Sequence, residues 1–339
     1  MKHAFMIAVA LSLGEIQGAR LSAEPMVRQP SLVQAQVSEP FQKAIDAEPT
    51  VAGKFATIAR LMKAEQNANV RRRMLEAALR IPGPEREKFL TNVLRVEEDS
   101  GLRSQAATGL GHLGSEKALN PLADAARNDR KTLMLMGDVG GLSSARRAAT
   151  FAIAELAARF PRIAGEAAAK LRALPVVEDP KDNESLADAR VQALYQITQD
   201  KALLTPFYVR LQSKDARERE RGIVAFQFFK LKSAPAEIVG ALKDTNLDVR
   251  RWAALVLGGI GDPKSAADLM TVAENRAEDT SVRSNALYSL GKMKTAAAKD
   301  LLERLLSDPN AGIQSNAAIA LYRITGRKVK QFPEGYRVD

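Results

Sequence analysis

One helical pattern recurs along most of this chain, and it limits the possible folds more than any other feature. Val70-Arg71 opens VRRRMLEAALRI, Leu102-Arg103 opens LRSQAATGLGHLG, and Ala145-Arg146 opens ARRAATFAIAEL. Val249-Arg250 opens VRRWAALVLGGIG, Val282-Arg283 opens VRSNALYSLGKM, and Ile313-Gln314 opens IQSNAAIALYRITG. Two weaker copies begin at Leu186 (LADARVQALYQI) and Glu220 (ERGIVAFQFFKL). Each copy reads aliphatic-Arg, then small or apolar residues three and four further on, then Leu and another aliphatic residue three apart, which is the period of a helix. The matching Leu-type position falls at Ala78, Leu110, Ile153, Leu194, Phe228, Leu257, Leu290 and Leu321, with gaps of 32, 43, 41, 34, 29, 33 and 31 residues. Between copies lies a second amphipathic stretch, as in ALNPLADAARND, SAADLMTVAENRAED and AAAKDLLERLLSDPN. The unit is therefore helix, turn, helix. One unit cannot bury both faces of its helices, so neighbours must stack. The expectation is an all-α solenoid of about eight helical pairs over residues 41–326.

The segments LLSDPNAGIQSNAAIAL, LKDTNLDVRRWAALVLGGIGD and AEDTSVRSNALYSLGKM carry a resemblance to the HEAT-repeat family, particularly its bacterial phycobilin-lyase-type repeats. The match is strong at 98–127 and 240–326 and poor at 160–235. It implies a right-handed superhelix of stacked helical pairs. It also implies a ladder between units, made by an Asp in the turn and an Arg that opens the second helix. Asp244, Asp279 and Asp308 match the acidic position, and Arg250 and Arg283 the basic one, with Gln314 replacing it in the last unit. The resemblance specifies fold far more than function.

The Arg position also has a physical reading. The first turn of a helix is a poor place for a cation, because the helix N-terminus is already positive. A turn carboxylate of the same or the adjacent unit would offset it. Arg71, Arg103, Arg146, Arg250 and Arg283 are accordingly read as structural. The small pairs Ala106-Ala107, Ala253-Ala254 and Ala317-Ala318 would let helices approach closely. Gly111, Gly114, Gly258, Gly261, Gly291 and Gly326 read as helix ends or tight turns. None stands in a phosphate-binding context such as GxGxxG.

In stacked pairs the second helices line the concave surface. The residue after each aliphatic-Arg pair is the first able to face out there, giving Arg72, Ser104, Arg147, Arg251, Ser284 and Ser315. The next positions give Arg73, Gln105, Ala148, Trp252, Asn285 and Asn316. From this basic and amide column, Arg147, Arg251, Trp252, Asn285 and Asn316 are the candidate partner contacts, since Trp and Arg are enriched at interface hot spots. Trp252 has an alternative role, filling the gap between two units while half-buried. Lys131–Ser144 (KTLMLMGDVGGLSS) lengthens one gap. It reads either as a lengthened first helix with an ordinary capped turn, or as a glycine turn able to hold an anion. Residues 175–187 (PVVEDPKDNESLA) read as a loop, and 327–339 as a basic tail that covers the stack end or acts as a tether.

Composition removes most chemistries. There is no cysteine, which excludes disulfides, thiol nucleophiles and cysteine-ligated metals, and the histidines are His3 and His112 alone. The HEAT-type deoxyhypusine hydroxylases hold iron with several His-Glu pairs, and this chain has no His-Glu dipeptide. A bilin-lyase pocket would need gathered aromatic and acidic residues, and aromatics are only 5% of the chain. HEAT-like DNA glycosylases use a basic face with Trp and a catalytic Asp, which the Arg column with Trp252 faintly matches. The net charge of +10 is compatible with nucleic acid, a membrane surface or an acidic protein. No catalytic constellation, metal site or cofactor is expected.

The N-terminus supplies the remaining clue. After Lys2, residues 4–13 form an apolar run about as long as a signal-peptide core and too short to span a bilayer. Ala19 or Ala23 would be the last residue removed, although Gln17 and Leu21 fit the cleavage pattern badly. Residues 1–23 therefore read as a signal peptide and 24–40 as a linker. The resulting expectation is a bacterial, non-catalytic scaffold, periplasmic or secreted, without a membrane span, that binds a protein partner on its concave face. The alternatives are a cytoplasmic nucleic-acid binder, with residues 4–13 an apolar first helix, and an enzyme accessory or lyase-like protein.

Overall fold

The computed structural model describes residues 39–129, 145–175, 180–327, 329–332 and 335–338. Signal-peptide residues 1–23, linker residues 24–38 and the 131–144 segment lie outside them. The chain divides between Gln199 and Asp200 into two compact units. In the first, α1 (Glu39–Asp46) precedes four helical pairs: α2 (Val51–Ala64) with α3 (Ala68–Arg80), α4 (Glu85–Val96) with α5 (Ser100–Leu113), α6 (Leu119–Asn128) with α7 (Ala145–Arg159), and α8 (Ala164–Arg172) with α9 (Pro180–Thr198). The second has α10 (Thr205–Leu211) with α11 (Ala216–Ala225), α12 (Ala236–Gly240) with α13 (Leu247–Ile260), α14 (Ala266–Glu274) with α15 (Thr280–Lys292), and α16 (Lys299–Leu305) with α17 (Ala311–Thr325). We call the first helix of each pair A and the second B. Within each unit the B helices pack on one another in sequence, and each A helix packs on its own B helix. This is an all-α solenoid.

The B helices start where they do because of an Asx cap. Asn67, Asp99, Asp215, Asn246, Asp279 and Asn310 each accept a hydrogen bond from a first-turn backbone N–H. Each such cap contributes roughly 1 kcal/mol. The cap stands four residues before the repeat's Arg, or before Gln314 in α17. That rule places Arg219, not Arg221, at the Arg position of α11 and moves the copy back by two residues. Phe226 is the fully buried member and Phe228 is only half-buried. With Phe226 in place the local spacings become 32 and 31 residues. Phe226 packs with Phe207 and Phe229, the latter pair with ring centroids 4.8 Å apart, so these aromatics form core and not surface.

The glycines separate into two kinds. Gly261 and Gly326 end α13 and α17 in the left-handed region, at φ 75° and 71°, and Gly114 caps α5. Gly111, Gly258 and Gly291 are instead inside B helices, at the crossing with the next B helix. A Cβ on Gly258 would lie 2.2 Å from Ser289 Oγ, one on Gly291 2.8 Å from Ala320 Cα, and one on Gly111 2.9 Å from Ala152 Cα. Their role is close approach, which corrects the helix-end reading for these three.

Two further expectations change. Part of 175–187 is helical, since α9 begins at Pro180, a residue suited to a first helical turn. The tail forms an antiparallel hairpin, β1 (Val329–Phe332) with β2 (Gly335–Val338), pairing Val329 with Val338 and Phe332 with Gly335.

Candidate functional site

Three rows of side chains run along the repeats, and two of them are consumed by stacking. The first is the ladder. In Arg71, Arg103, Arg219, Arg250 and Arg283 the guanidinium reaches back to a carbonyl at the end of its own A helix or in the A–B loop, and across to a carboxylate in the next repeat's loop. Arg103 donates to the Glu97 and Glu98 carbonyls and makes a two-pronged bond to Asp129 at 3.1 and 2.8 Å. Arg219 bonds the Ser213 and Lys214 carbonyls and Asp244, at 2.7 and 2.8 Å. Arg250 bonds the Asp244 and Thr245 carbonyls and Glu278. Arg283 bonds Asp308 at 2.6 Å, and Arg71 meets Glu97 at 3.3 Å. Gln314, lacking charge, bonds only back to the Asp308 carbonyl in this row.

The carboxylates also organise their own turns. Asp244 and Asp308 accept from the N–H groups of Asn246 and Asn310. The Arg219 hydrogen bond, aided by Asn246, holds the Asp244 carboxyl below its usual range against the cost of burial. Burial pushes Asp308 up, but its bonds from Arg283 and Asn310 outweigh this and leave it depressed. Asp279 is no rung. It caps α15 through Ser281, and Glu278 takes Arg250 in its place. Arg146 also departs from the expected carboxylate pairing: among the described residues it donates to the Ala126 and Arg127 carbonyls.

The second row holds most of the residues expected to face a partner. Trp252 is 7% exposed, and its Nε1 donates to Glu220 on the preceding B helix at 3.0 Å. Asn285 Nδ2 donates to the Arg251 carbonyl and Asn316 Nδ2 to Ser284 Oγ, both at 3.0 Å. Ser289 Oγ adds a bond to the Ala254 carbonyl. These bonds join helices some 32 to 35 residues apart in sequence and tie the B helices edge to edge. Arg251 leans on Asp248 of its own helix at 3.0 Å. Arg147 is 7% exposed, stacks its guanidinium 5.1 Å from the Phe151 ring centroid, and is pushed down to about 10 by burial despite Asp188 nearby. Arg147 and Trp252 are thus buried, which corrects their assignment as exposed contacts; for Trp252 it fits the alternative of filling the gap between two units. The half-buried Asn285 and Asn316 use their amides between repeats.

The third row remains open. Five residues after the Arg position stand Val224, Leu255, Tyr288 and Ile319 on successive B helices of the second unit. The first three are half-buried, and Ile319 is 51% exposed, beside Tyr322 at 52%. The Arg323 guanidinium lies 4.9 Å from the Tyr288 ring centroid. Partial burial and the neighbouring Arg323 hold the Lys292 amine below its usual range. Neither Lys292 nor Arg323 is ion-paired among the described residues. No group of three or more His, Asp or Glu able to hold a metal occurs among those residues, and His112 Nδ1 lies 3.6 Å from Glu155.

The repeat geometry agrees with comparison against known families. The model for HEAT repeats matches residues 56–135 and 269–332, and that for the PBS lyase HEAT-like repeat matches 249–275. The chain is a HEAT-repeat protein. Among solved structures, E. coli YibA is 16% identical over 88% of this chain and all of its own, with a TM-score of 0.44. Human deoxyhypusine hydroxylase in complex with glycerol is 16% identical over 85% of this chain and 99% of its own, TM-score 0.35. Kap121p is 15% identical over 84% of this chain but only 37% of its own, TM-score 0.39. Comparison with curated proteins gave no match.

The ladder residues Glu97, Asp129, Arg219 and Glu278, and the Trp252 partner Glu220, are absent from the sequence-based set. A short signal would have found two of them, Glu97 and Glu278: acid, one or no residue, Asx, three residues, Arg. It reads Glu97-x-Asp99-x3-Arg103, Asp244-x-Asn246-x3-Arg250 and Glu278-Asp279-x3-Arg283.

Proposed function

We propose that this HEAT-repeat protein is a non-catalytic interaction scaffold whose second unit docks a partner protein on its B-helix face. The observation that supports this most is the row Leu255, Tyr288, Ile319 with Tyr322, whose last two members keep about half their surface in solvent. Large apolar and aromatic side chains left open beside unpaired cations suit a protein interface. The ladder weighs against the nucleic-acid reading. Arg71, Arg103, Arg219, Arg250 and Arg283 contribute to the net charge of +10 yet are already paired with carboxylates.

The test is purification of the tagged full chain from its host, alongside an I319D/Y322D variant. The proposal expects a complex that survives moderate salt with the parent and is lost with the variant, whose helicity is unchanged. A complex retained by the variant, or one that dissolves steeply with salt as phosphate contacts do, would overturn it. We further propose export, from the apolar run at 4–13. A mature chain that begins near Arg20 or Glu24 in the periplasmic fraction would support this, and a full-length chain in the cytosol would remove it.

A further inference from the structure

A groove of about 430 Å3 lies between the B helices α3 and α5 of the first unit, open to solvent along one side. That volume is in the range of small-ligand and side-chain sites. Arg72 and Gly101 line one end, Leu79, His112 and Leu113 the other, with Gln105 between. Two glycines shape it. Arg72 Nη2 lies 3.0 Å from where a Gly101 Cβ would be, and Leu79 Cδ2 lies 2.6 Å from that of Gly109. Side chains at either position would fill the groove or push its walls aside.

Two of its polar groups, on Gln105 and Arg72, are unspent. Gln105 occupies the same repeat position as Trp252, Asn285 and Asn316, each of which donates to the preceding B helix. Gln105 makes no such bond, and its Oε1 is buried without a partner among the described residues. Arg72 is exposed and has no carboxylate within ion-pair distance among those residues. A residue with a buried acceptor, an unpaired guanidinium and an apolar end formed by Leu79 and Leu113 thus line one space, with Asp99 Oδ1 as near the Gly101 position as Arg72 is. An occupant that supplies an N–H donor, a negative charge and an apolar group would complement these residues.

We infer that this groove binds a short extended peptide segment of a partner protein. The segment places an Asp or Glu carboxylate on Arg72, a backbone N–H on Gln105 Oε1 and an apolar side chain between Leu79 and Leu113. A planar guanidinium suits a carboxylate in particular, because it can donate two parallel bonds to it. This rests on the scaffold reading above but uses a separate surface in the other unit.

The test uses the full chain labelled with 15N-glycine, titrated with acetyl-Leu-Asp-Leu-amide and, separately, acetyl-Leu-Asn-Leu-amide, to millimolar concentration. Saturable shifts of the Gly101 and Gly109 amides are expected with the Asp peptide. Binding should be about tenfold weaker for the Asn peptide and for R72Q and Q105L, the loss expected for one charge-assisted or buried hydrogen bond. The I319D/Y322D variant should bind the Asp peptide as the parent does. Equal responses to both peptides, or no saturable shift at Gly101 and Gly109, would overturn the inference. Should R72Q or Q105L fold poorly, the comparison of the two peptides on the parent chain still decides. Loss of the groove result with the partner complex still dependent on Ile319 and Tyr322 would remove the groove alone.

Discussion

Arg283 and Asp308 join successive repeats through a 2.6 Å ion pair whose side chains are only 5% and 1% exposed. No other ladder pair among the described residues is so fully withdrawn from water. Removing one member of a buried pair strands its partner, which typically costs about 3–5 kcal/mol. Arg283→Leu should therefore lower the urea midpoint of the second unit strongly. Arg250→Leu, in a pair 20% and 12% exposed, should lower it less. Lys43→Ala, whose pair with Glu39 is over 70% exposed, should change stability by no more than about 0.5 kcal/mol. Equal losses for all three would contradict the ladder's role.

Neighbouring glycines in α13 should behave oppositely. Gly258 faces Ser289 across the helix crossing, whereas the nearest atom to a Cβ on Gly259 is Lys292 Nζ at 4.0 Å. Gly258→Ala should destabilise by about 1–3 kcal/mol through overpacking. Gly259→Ala should stabilise by up to about 1 kcal/mol through helix propensity. Thermal melts of the two variants measure both.

Acid should loosen the second unit through its turn carboxylates. The Arg219 hydrogen bond and the Asn246 N–H hold Asp244 below its usual range, and Asp308 is also held low. A carboxyl with a depressed folded pKa adds stability that is present above its unfolded pKa of about 4 and is lost as pH falls through the folded value. Melting temperature should drop as pH falls below about 4. Asp244→Asn should lie lower at pH 7 and show a shallower acid decline.

Glu220 should act with the opposite sign. Burial raises its carboxyl despite the Trp252 hydrogen bond, so its ionised form opposes folding. Its contribution therefore weakens as pH rises from the unfolded value, about 4.3, through the folded one. Glu220→Gln keeps an acceptor for Trp252 and removes the charge, so it should match or exceed the parent's melting temperature at pH 7. Glu220→Leu strands the indole N–H and should cost about 1–3 kcal/mol.

The repeat was legible because stacking requires apolar residues at fixed helical offsets, and those offsets survive in Leu110, Leu257, Leu290 and Leu321, all fully buried. The ladder members Arg71, Arg103, Arg250 and Arg283 were legible from the HEAT resemblance together with helix electrostatics. The register of α11 was not, because RERER offers three arginines at alternate positions and only the cap at Asp215 chooses Arg219. The surface assignment of Trp252 failed for a different reason. A helix face that looks outward in one repeat is covered by its neighbour, here the preceding B helix, whose Glu220 accepts from Trp252. Residue type marked Trp252 and Arg147 as contacts, whereas burial gave the open positions to Ile319 and Tyr322.

The most direct measurement of the docking claim is site-specific photo-crosslinking of the full chain in its host, with benzoylphenylalanine at position 319 on the B face or at the exposed Ala267 of α14. The account predicts a discrete protein adduct from position 319 and none from 267. An adduct from 267 with none from 319 would place the partner on the A helices and contradict it.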